Sequence, residues 1–473
     1  MNPIGKSRMK TKQSLLSIIA FAAALPVAAY AQDGSVQLGA ASRGLSYSQE
    51  EAAPPPEIKN PPKSWVDPDT GHRVFRLTDE PGSDSNYFNV NAFSPDGKEM
   101  MYVVNETGNI GVVDMTTLKT RIIVQAKDAD HRPHAIHVGY TTPTIFYTLP
   151  TEGADPSQPA DRQLSTLWAV NMETGEIRKV IDLPRRVSIV SINADETLGA
   201  GGLIEGAGPQ AGYGARQAGP GGMGRRNLGE AMDKGQMMER RLAAHYPMTM
   251  FTIDLHSGKM TTLLQHDTDW LNHFQFSPTD PTLLLFCHEG MWWKVDRIWS
   301  MHTDGTKPIL IHKRTMENEI AGHEWWGADG KTLFYQLHYP SGMESSFIAS
   351  YNEDTGERVW LRYSPDLTSI HDNSSPDGKL FCGDGGFGTP SIFLLRPVVD
   401  KDQGTLGTDL IKPGHLEGEK LVNMAKTDIH NAHNYRLEPN PMFSPDMKYV
   451  IFRSNFFGPD YAFAVEVAKA TTP

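Results

Sequence analysis

Ser94-Pro95-Asp96-Gly97-Lys98, Ser375-Pro376-Asp377-Gly378-Lys379 and Ser444-Pro445-Asp446-Met447-Lys448 are one phrase written three times. Related turns stand at Asn193-Ala194-Asp195-Glu196, Ser277-Pro278-Thr279-Asp280 and Ala328-Asp329-Gly330-Lys331, with a weaker copy at Thr141-Thr142-Pro143-Thr144. Each announces an apolar strand, and a second strand then ends in Asp, Asn or a Thr-Gly type turn. Residues 100–104 and 110–114, 167–171 and 177–181, 250–254 and 260–264, 298–302 and 308–311, and 347–351 and 358–361 repeat the strand–turn–strand pattern. Recurrence at roughly fifty residues marks a repeat architecture. Hairpin chemistry in every copy, four strands per repeat and about seven repeats predict an all-β, seven-bladed β-propeller. A sandwich rarely repeats one phrase so often, and most solenoid periods are shorter. In a ring of repeats, residues at matched positions converge on one axis.

The 473 residues suit one large repeat domain, and 43 Gly with 33 Pro suit many short strands joined by turns. A net charge of −12 argues against a nucleic-acid partner, which needs a basic face. Lys6, Arg8, Lys10 and Lys12, an apolar run over residues 15–27 and Ala29-Tyr30-Ala31 read as a signal peptide over residues 1–31. No other run reaches membrane-spanning length, so a periplasmic or secreted protein is expected. Residues 32–60, with Pro54-Pro55-Pro56, read as a flexible linker before a propeller over 61–469. A Gly-rich and helical insertion at about 206–245 interrupts one blade, and its Arg225, Arg226, Arg240 and Arg241 are candidates to cover a ligand. Cys287 and Cys382 each follow Phe in an apolar strand and read as core. His131, His134 and His137 read as a solvated loop.

The remaining histidines are placed unevenly. His273, His323 and His371 each stand a few residues before a turn of the repeating kind, as do Glu438 and Asn440. His288, Arg297, His430 and His433 lie in the same half of the chain. Matched positions in successive blades would gather these groups around one end of the axis. Such a ring has two uses. It can hold a divalent metal through imidazole and oxygen donors, or it can supply an acid or base near neutral pH. Both suit an acidic sugar. Removing the C5 proton of a uronate builds charge beside its carboxylate, which a metal or arginine must offset. His323-Glu324 is not H-E-x-x-H, and G-x-S-x-G does not occur, so zincin and serine-hydrolase chemistry are not indicated.

The strings Phe286-Cys287-His288-Glu289-Gly290, Val295-Asp296-Arg297-Ile298-Trp299 and Gly322-His323-Glu324-Trp325, with Trp65-Val66-Asp67-Pro68-Asp69-Thr70-Gly71 upstream, carry a resemblance. The chain resembles the oligogalacturonate lyases, polysaccharide lyase family 22. The resemblance implies a seven-bladed propeller that cleaves short α-1,4-galacturonides by β-elimination with a Mn²⁺-type metal. By position it implies that His323 is the general base, that Arg297 lies beside the substrate carboxylate and that His371 binds metal.

In the last blade the chain departs from the family pattern Gln-x-x-His-Pro-His. It reads Tyr435-Arg436-Leu437-Glu438-Pro439-Asn440. Glu438 and Asn440, two residues apart, face one way on a strand and offer oxygen, with His433 as a further nitrogen donor. Mn²⁺ is the expected metal, with Ca²⁺ and Mg²⁺ as alternatives. His273 and His288 are candidate substrate contacts. Trp292, Trp293, Trp325 and Trp326 are candidates for stacking on sugar rings, and Asp384-Gly385-Gly386 reads as a turn. The expected function is cleavage of an acidic oligosaccharide, as in pectin degradation. The rivals are a lyase for another acidic glycan and a non-catalytic propeller scaffold.

Overall fold

The computed structural model describes residues 54–151, 153, 164–204, 234–339, 345–386, 391–401, 404–406, 409–434 and 437–470. The expected signal peptide, the first part of the linker, the Gly-rich part of the insertion with Arg225 and Arg226, and Tyr435 and Arg436 lie outside them.

The repeating phrase folds the same way wherever it recurs. Ser94 Oγ donates to Asp96 Oδ1 (2.8 Å), which accepts the Lys98 N–H (3.1 Å), while Ser94 Oγ accepts the Glu99 N–H (3.0 Å). Ser375 with Asp377 and Ser444 with Asp446 repeat this geometry. The turn needs a left-handed residue in third place after the Ser. Gly97 and Gly378 supply it at φ 72° and 68°, and Met447 adopts it at φ 59°.

The described chain is all-β apart from the helix Lys234–Ala243 and one short 3₁₀ turn. Four sheets have four strands each: Ser83–Asp84 to Lys119–Val124, His134–Val138 to Ile177–Asp182, Ser188–Ile192 to Met260–His266, and Trp270–Phe276 to Ile309–Leu310. A nine-stranded sheet begins with the antiparallel run Ile320–Trp326, Thr332–Tyr339, Ser345–Asn352 and Arg358–Arg362. Arg358–Arg362 then pairs in parallel with the long strand Asp409–Asn423, which joins Ser391–Val399, Phe381–Gly383 and Asp372–Ser374. The last sheet stitches the two ends of the described chain together: His72–Arg76 pairs with Tyr461–Lys469.

The core lies between successive sheets. Met101 and Ile110 pack on Val138 and Tyr147, and Phe146 and Leu167 on Ile189 and Phe251. Further along, Phe334 and Ile348 pack on Phe381 and Phe393, and the last cluster closes Ile451 and Ala464 onto Met100 and Tyr102. These sheets form the propeller-like arrangement expected of the repeats. Cys287 and Cys382 are buried free thiols.

Two local readings change. His137 is no solvated residue: it is 5% exposed and lies in the strand His134–Val138, because its ring bridges to the Ile192 backbone. Trp325 is core, 1% exposed and stacked on Phe334. The helix Lys234–Ala243 lies in the connection between Leu198–Ile204 and Met248–Asp254, which pair with each other. Its Met238 and Leu242 join a cluster with Trp292 and Trp293, and Arg241 lies over the Trp270 ring at 4.5 Å.

Candidate active site

His273 and His323 are placed by the same backbone device. In the first sheet concerned, Asn272 faces Cys287 and Gln275 faces Leu285, so His273 and Phe274 oppose Phe286 alone. In the next, Gly322 faces Gln336 and Trp325 faces Phe334, so His323 and Glu324 oppose Tyr335 alone. Each is a β-bulge, a feature that re-aims a side chain. Both histidines take left-handed backbone, φ 53° and 50°, and Asn440 does so at 50°. Non-glycine residues adopt this region at a cost, and such residues cluster at functional sites.

The His323 and His371 rings lie 4.8 Å apart, edge to face. Arg297 lies against Gly322 at the same place: a Cβ there would meet its guanidinium at an ordinary contact distance, 3.5 Å from Nε. Arg297 is 3% exposed, and its Nη1 donates to Glu289 Oε1 at 2.9 Å. Its Nε is buried without a hydrogen-bond partner.

The tautomer of His323 follows from its neighbour. Gln336 donates its amide N–H to Asp372 Oδ2 and to the Ser369 carbonyl (3.0 Å). Its Oε1 therefore faces His323 Nδ1 at 2.9 Å, which fixes a proton on Nδ1 and leaves Nε2 as the basic atom. Burial, then the neighbouring His371, holds His323 well below the ordinary histidine pKa. The ring is thus neutral near pH 7.

His273 behaves in the opposite way. Burial disfavours its charge, but Glu324, 2.6 Å from Nδ1, and Glu289 outweigh that and raise its pKa. Glu324 and Glu289 are both held low: burial opposes their charge, but His273 and Arg297 overcome it. The result is a charge-balanced quartet under the site, buried except for the half-buried His273.

His371 is oriented by Asp384, whose Oδ2 lies 2.8 Å from Nδ1. Burial opposes its charge, yet Asp384 and Glu438 raise its pKa. Nε2 faces Glu438 Oε2 at 3.8 Å. Asn440 is fully buried, and its Oδ1 has no hydrogen-bond partner. An imidazole backed by a carboxylate is the usual orientation of a metal-ligating histidine, and an orphaned buried amide oxygen calls for a cation. By donor type, His371, Glu438 and Asn440 suit a hard divalent ion of the Mn²⁺, Ca²⁺ or Mg²⁺ type. His433 is tied to Ser454 Oγ at 2.8 Å and lies edge-on to Phe456.

The segment before the first repeat turn covers this cluster. Phe88 lies 5.4 Å from the His371 ring and 6.4 Å from His323, and Tyr87 lies 5.5 Å from His371. Asn373 Nδ2 holds the Phe88 carbonyl, and Asn89 Nδ2 donates to the Glu324 carbonyl. Burial, then the carboxylates of Glu438 and Glu324, pushes the Tyr87 phenol well above its ordinary pKa.

The structure therefore brings His323, His371, Arg297, Glu438 and His273 into one connected network. His288 turns away from it: its Nδ1 faces Asp269, while the next residue, Glu289, faces Arg297. Sequence reasoning passed over Gln336, Glu289, Glu324 and Tyr87. Only the two glutamates carried a signal, as the second members of His288-Glu289 and His323-Glu324. Asp384 is the partner of His371 and not merely a turn residue.

Comparison with known proteins points to one family. Residues 238–471 match the profile of the oligogalacturonate lyase family. An oligogalacturonate lyase of Dickeya dadantii is 30% identical over 217 residues, 44% of this chain and 53% of that protein. An oligogalacturonide lyase of Pectobacterium atrosepticum matches to the same extent. The chain thus matches about half the length of these relatives. A solved oligogalacturonate lyase in complex with manganese superposes with a TM-score of 0.61 at 22% identity, over 88% of this chain and 97% of the other. The Vibrio parahaemolyticus oligogalacturonate lyase gives a TM-score of 0.63 at 21% identity, over 86% and 96%. At that identity these structures bear on the fold.

Proposed function

The chain belongs, through residues 238–471, to the oligogalacturonate lyase family, and from that premise we propose that it cleaves short galacturonides by metal-assisted β-elimination. We read the fold as a seven-bladed propeller, counting the nine-stranded sheet as two blades joined edge to edge by the parallel pairing at Arg358–Arg362. The observation that carries the reading is the packing of His323 against His371, with Arg297 seated over Gly322.

In this reading His323 Nε2 takes the C5 proton of the uronate, since Gln336 keeps the other nitrogen protonated. Arg297, held by Glu289, faces the substrate carboxylate and offsets the charge that develops there. Tyr87, which keeps its proton, stands on the His371 side of the cluster and is the candidate to protonate the departing O4. His371, Glu438 and Asn440, with His433 as the outlying candidate, would hold the metal. A bound divalent cation would supply Lewis-acid stabilisation of the carboxylate as the C5 proton leaves. His273 fixes Glu324 and Glu289, and so supports Arg297 without reaching the reacting atoms; we assign His288 no part in this step.

Oxygen donors at Glu438 and Asn440, where the family pattern has histidines, favour a second reading: the same elimination on a different uronide. Among the described residues no helix is long and apolar enough to cross a membrane, and we propose an exported, periplasmic or secreted enzyme. The test is direct. An unsaturated uronate absorbs in the ultraviolet, so absorbance should rise when the protein meets digalacturonate with Mn²⁺. A rise with another uronide alone would select the second reading. No rise with any uronide would leave a propeller scaffold.

A further inference from the structure

We propose that His266, Asp269 and His288 form a second divalent-metal site, of the zinc type, separate from the His323–His371 cluster. Successive residues on a strand point to opposite faces, and His288 leaves Leu283–Glu289 on the face away from Glu289 and Arg297. There it meets the loop that follows Met260–His266. Donor atoms of His266, Asp269 and His288 lie within 4.8 Å of one another. His266 Nε2 and His288 Nδ1 each stand 2.9 Å from the same oxygen, Asp269 Oδ1.

The contacts of His266 leave its Nε2 free to turn toward a cation. The Asp269 backbone N–H is directed at His266 Nε2 at 3.3 Å, and the Thr268 hydroxyl lies 2.8 Å from that nitrogen. A backbone N–H can only donate, so Nε2 carries a lone pair. The same nitrogen stands 2.9 Å from Asp269 Oδ1, so a cation that took this lone pair in place of the two weak donors would also be shared with the carboxylate. Around a tetrahedral zinc with bonds of about 2.0–2.1 Å, ligand atoms stand about 3.3 Å apart. Each nitrogen would need to move a few tenths of an ångström from Asp269 Oδ1 to reach that spacing. Two imidazoles and one carboxylate suit zinc better than calcium or magnesium.

The trio is accessible: its side chains are 20%, 14% and 11% exposed. It lines a pocket of about 500 Å³ together with Trp299, Lys294 and Lys307. The fourth coordination position would open into that pocket. The lysines on its wall favour a water-derived hydroxide or an anionic ligand there.

The experiment is zinc binding to the chelator-treated full protein, followed by calorimetry and by the visible absorption of the cobalt-substituted form. His371→Ala should retain one tight Zn²⁺ equivalent with a tetrahedral cobalt spectrum. Asp269→Asn with His266→Gln should bind that equivalent at least about 100-fold more weakly, with an unchanged metal-free melting midpoint. Equal zinc stoichiometry in the double variant and the wild type would overturn the proposal. Should the variant not fold, wild-type crystals soaked in Zn²⁺ decide: an anomalous peak amid the three side chains supports the site, and its absence there sinks it.

Discussion

Gln336 aims its carbonyl oxygen, not its amide, at Nδ1 of His323. The two acceptors behind it, Asp372 and the Ser369 carbonyl, permit no other orientation. One glutamine on the neighbouring strand thus decides which nitrogen of the histidine is basic. Gln336→Ala should lower kcat about 10- to 100-fold with little change in KM. Gln336→Glu keeps an acceptor on Nδ1 but sets its second oxygen against Asp372 and the Ser369 carbonyl, so it should fail to recover the loss. Equal rates for Gln336→Ala and wild type would show that the tautomer is set elsewhere.

If His323 is the base, His323→Ala should cost between about 10²- and 10⁴-fold in kcat. Its ring is one of several at the centre, so melting should remain cooperative. Tyr87→Phe removes only a hydroxyl. It should lower kcat while leaving the rate of C5 deuterium exchange less affected, which separates leaving-group protonation from proton abstraction. A Tyr87→Phe enzyme with wild-type kcat would remove the phenol from the reaction.

Arg297 and Glu289 should be coupled in stability as well as in activity. Removing one partner of a buried ion pair costs about 3–5 kcal/mol because the other charge is left uncompensated. Arg297→Met should therefore destabilise strongly in urea unfolding, and adding Glu289→Gln should restore much of the loss without restoring turnover. Additive losses would mean that the pair at 2.9 Å contributes no coupling.

Much of this was legible in the sequence, for a physical reason. Turn phrases such as Ser375-Pro376-Asp377-Gly378 encode local hydrogen bonds, so hairpins could be read one at a time and their recurrence pointed to the all-β series of mostly four-stranded sheets. His273, His323 and Asn440 stand out by the same logic, each four or five residues before the first residue of a turn. Two features were not legible. The long strand Asp409–Asn423 pairs with Arg358–Arg362 across a wide sequence gap and carries no turn phrase of its own. Gln336, Asp384 and Tyr87 act through partners that only folding brings near, and His288 changes side because Glu289 takes the inner face.

The metal cluster predicts a graded response. Asp384→Asn keeps the shape of the carboxylate behind His371 but removes its charge, and should weaken metal affinity about 10- to 100-fold. Glu438→His with Asn440→His replaces two oxygen donors by nitrogens. The occupant measured by elemental analysis should then shift from Mn²⁺, Ca²⁺ or Mg²⁺ toward Zn²⁺ or Ni²⁺. An unchanged metal content in both variants would place the ion away from His371.

His137 should make the fold acid-sensitive. Its Nε2 accepts the Ile192 N–H at 2.8 Å and its Nδ1 donates to the Val138 carbonyl at 2.7 Å, so the neutral ring satisfies both atoms while tying two sheets together. Burial holds its pKa below the ordinary value, although the Val138 carbonyl and Glu196 pull the other way; Tyr140 packs on the ring. The folded state therefore binds fewer protons than the unfolded chain once the pH falls below about 6.5. The stabilisation is complete above that pH and is lost as the pH falls, by at most about 1.4 kcal/mol per pH unit. His137→Gln cannot titrate. It should be less stable than wild type by about 1–3 kcal/mol at pH 8, and the gap in urea-unfolding free energy should narrow toward pH 5. A gap that stays constant over that range would assign the acid sensitivity to another group.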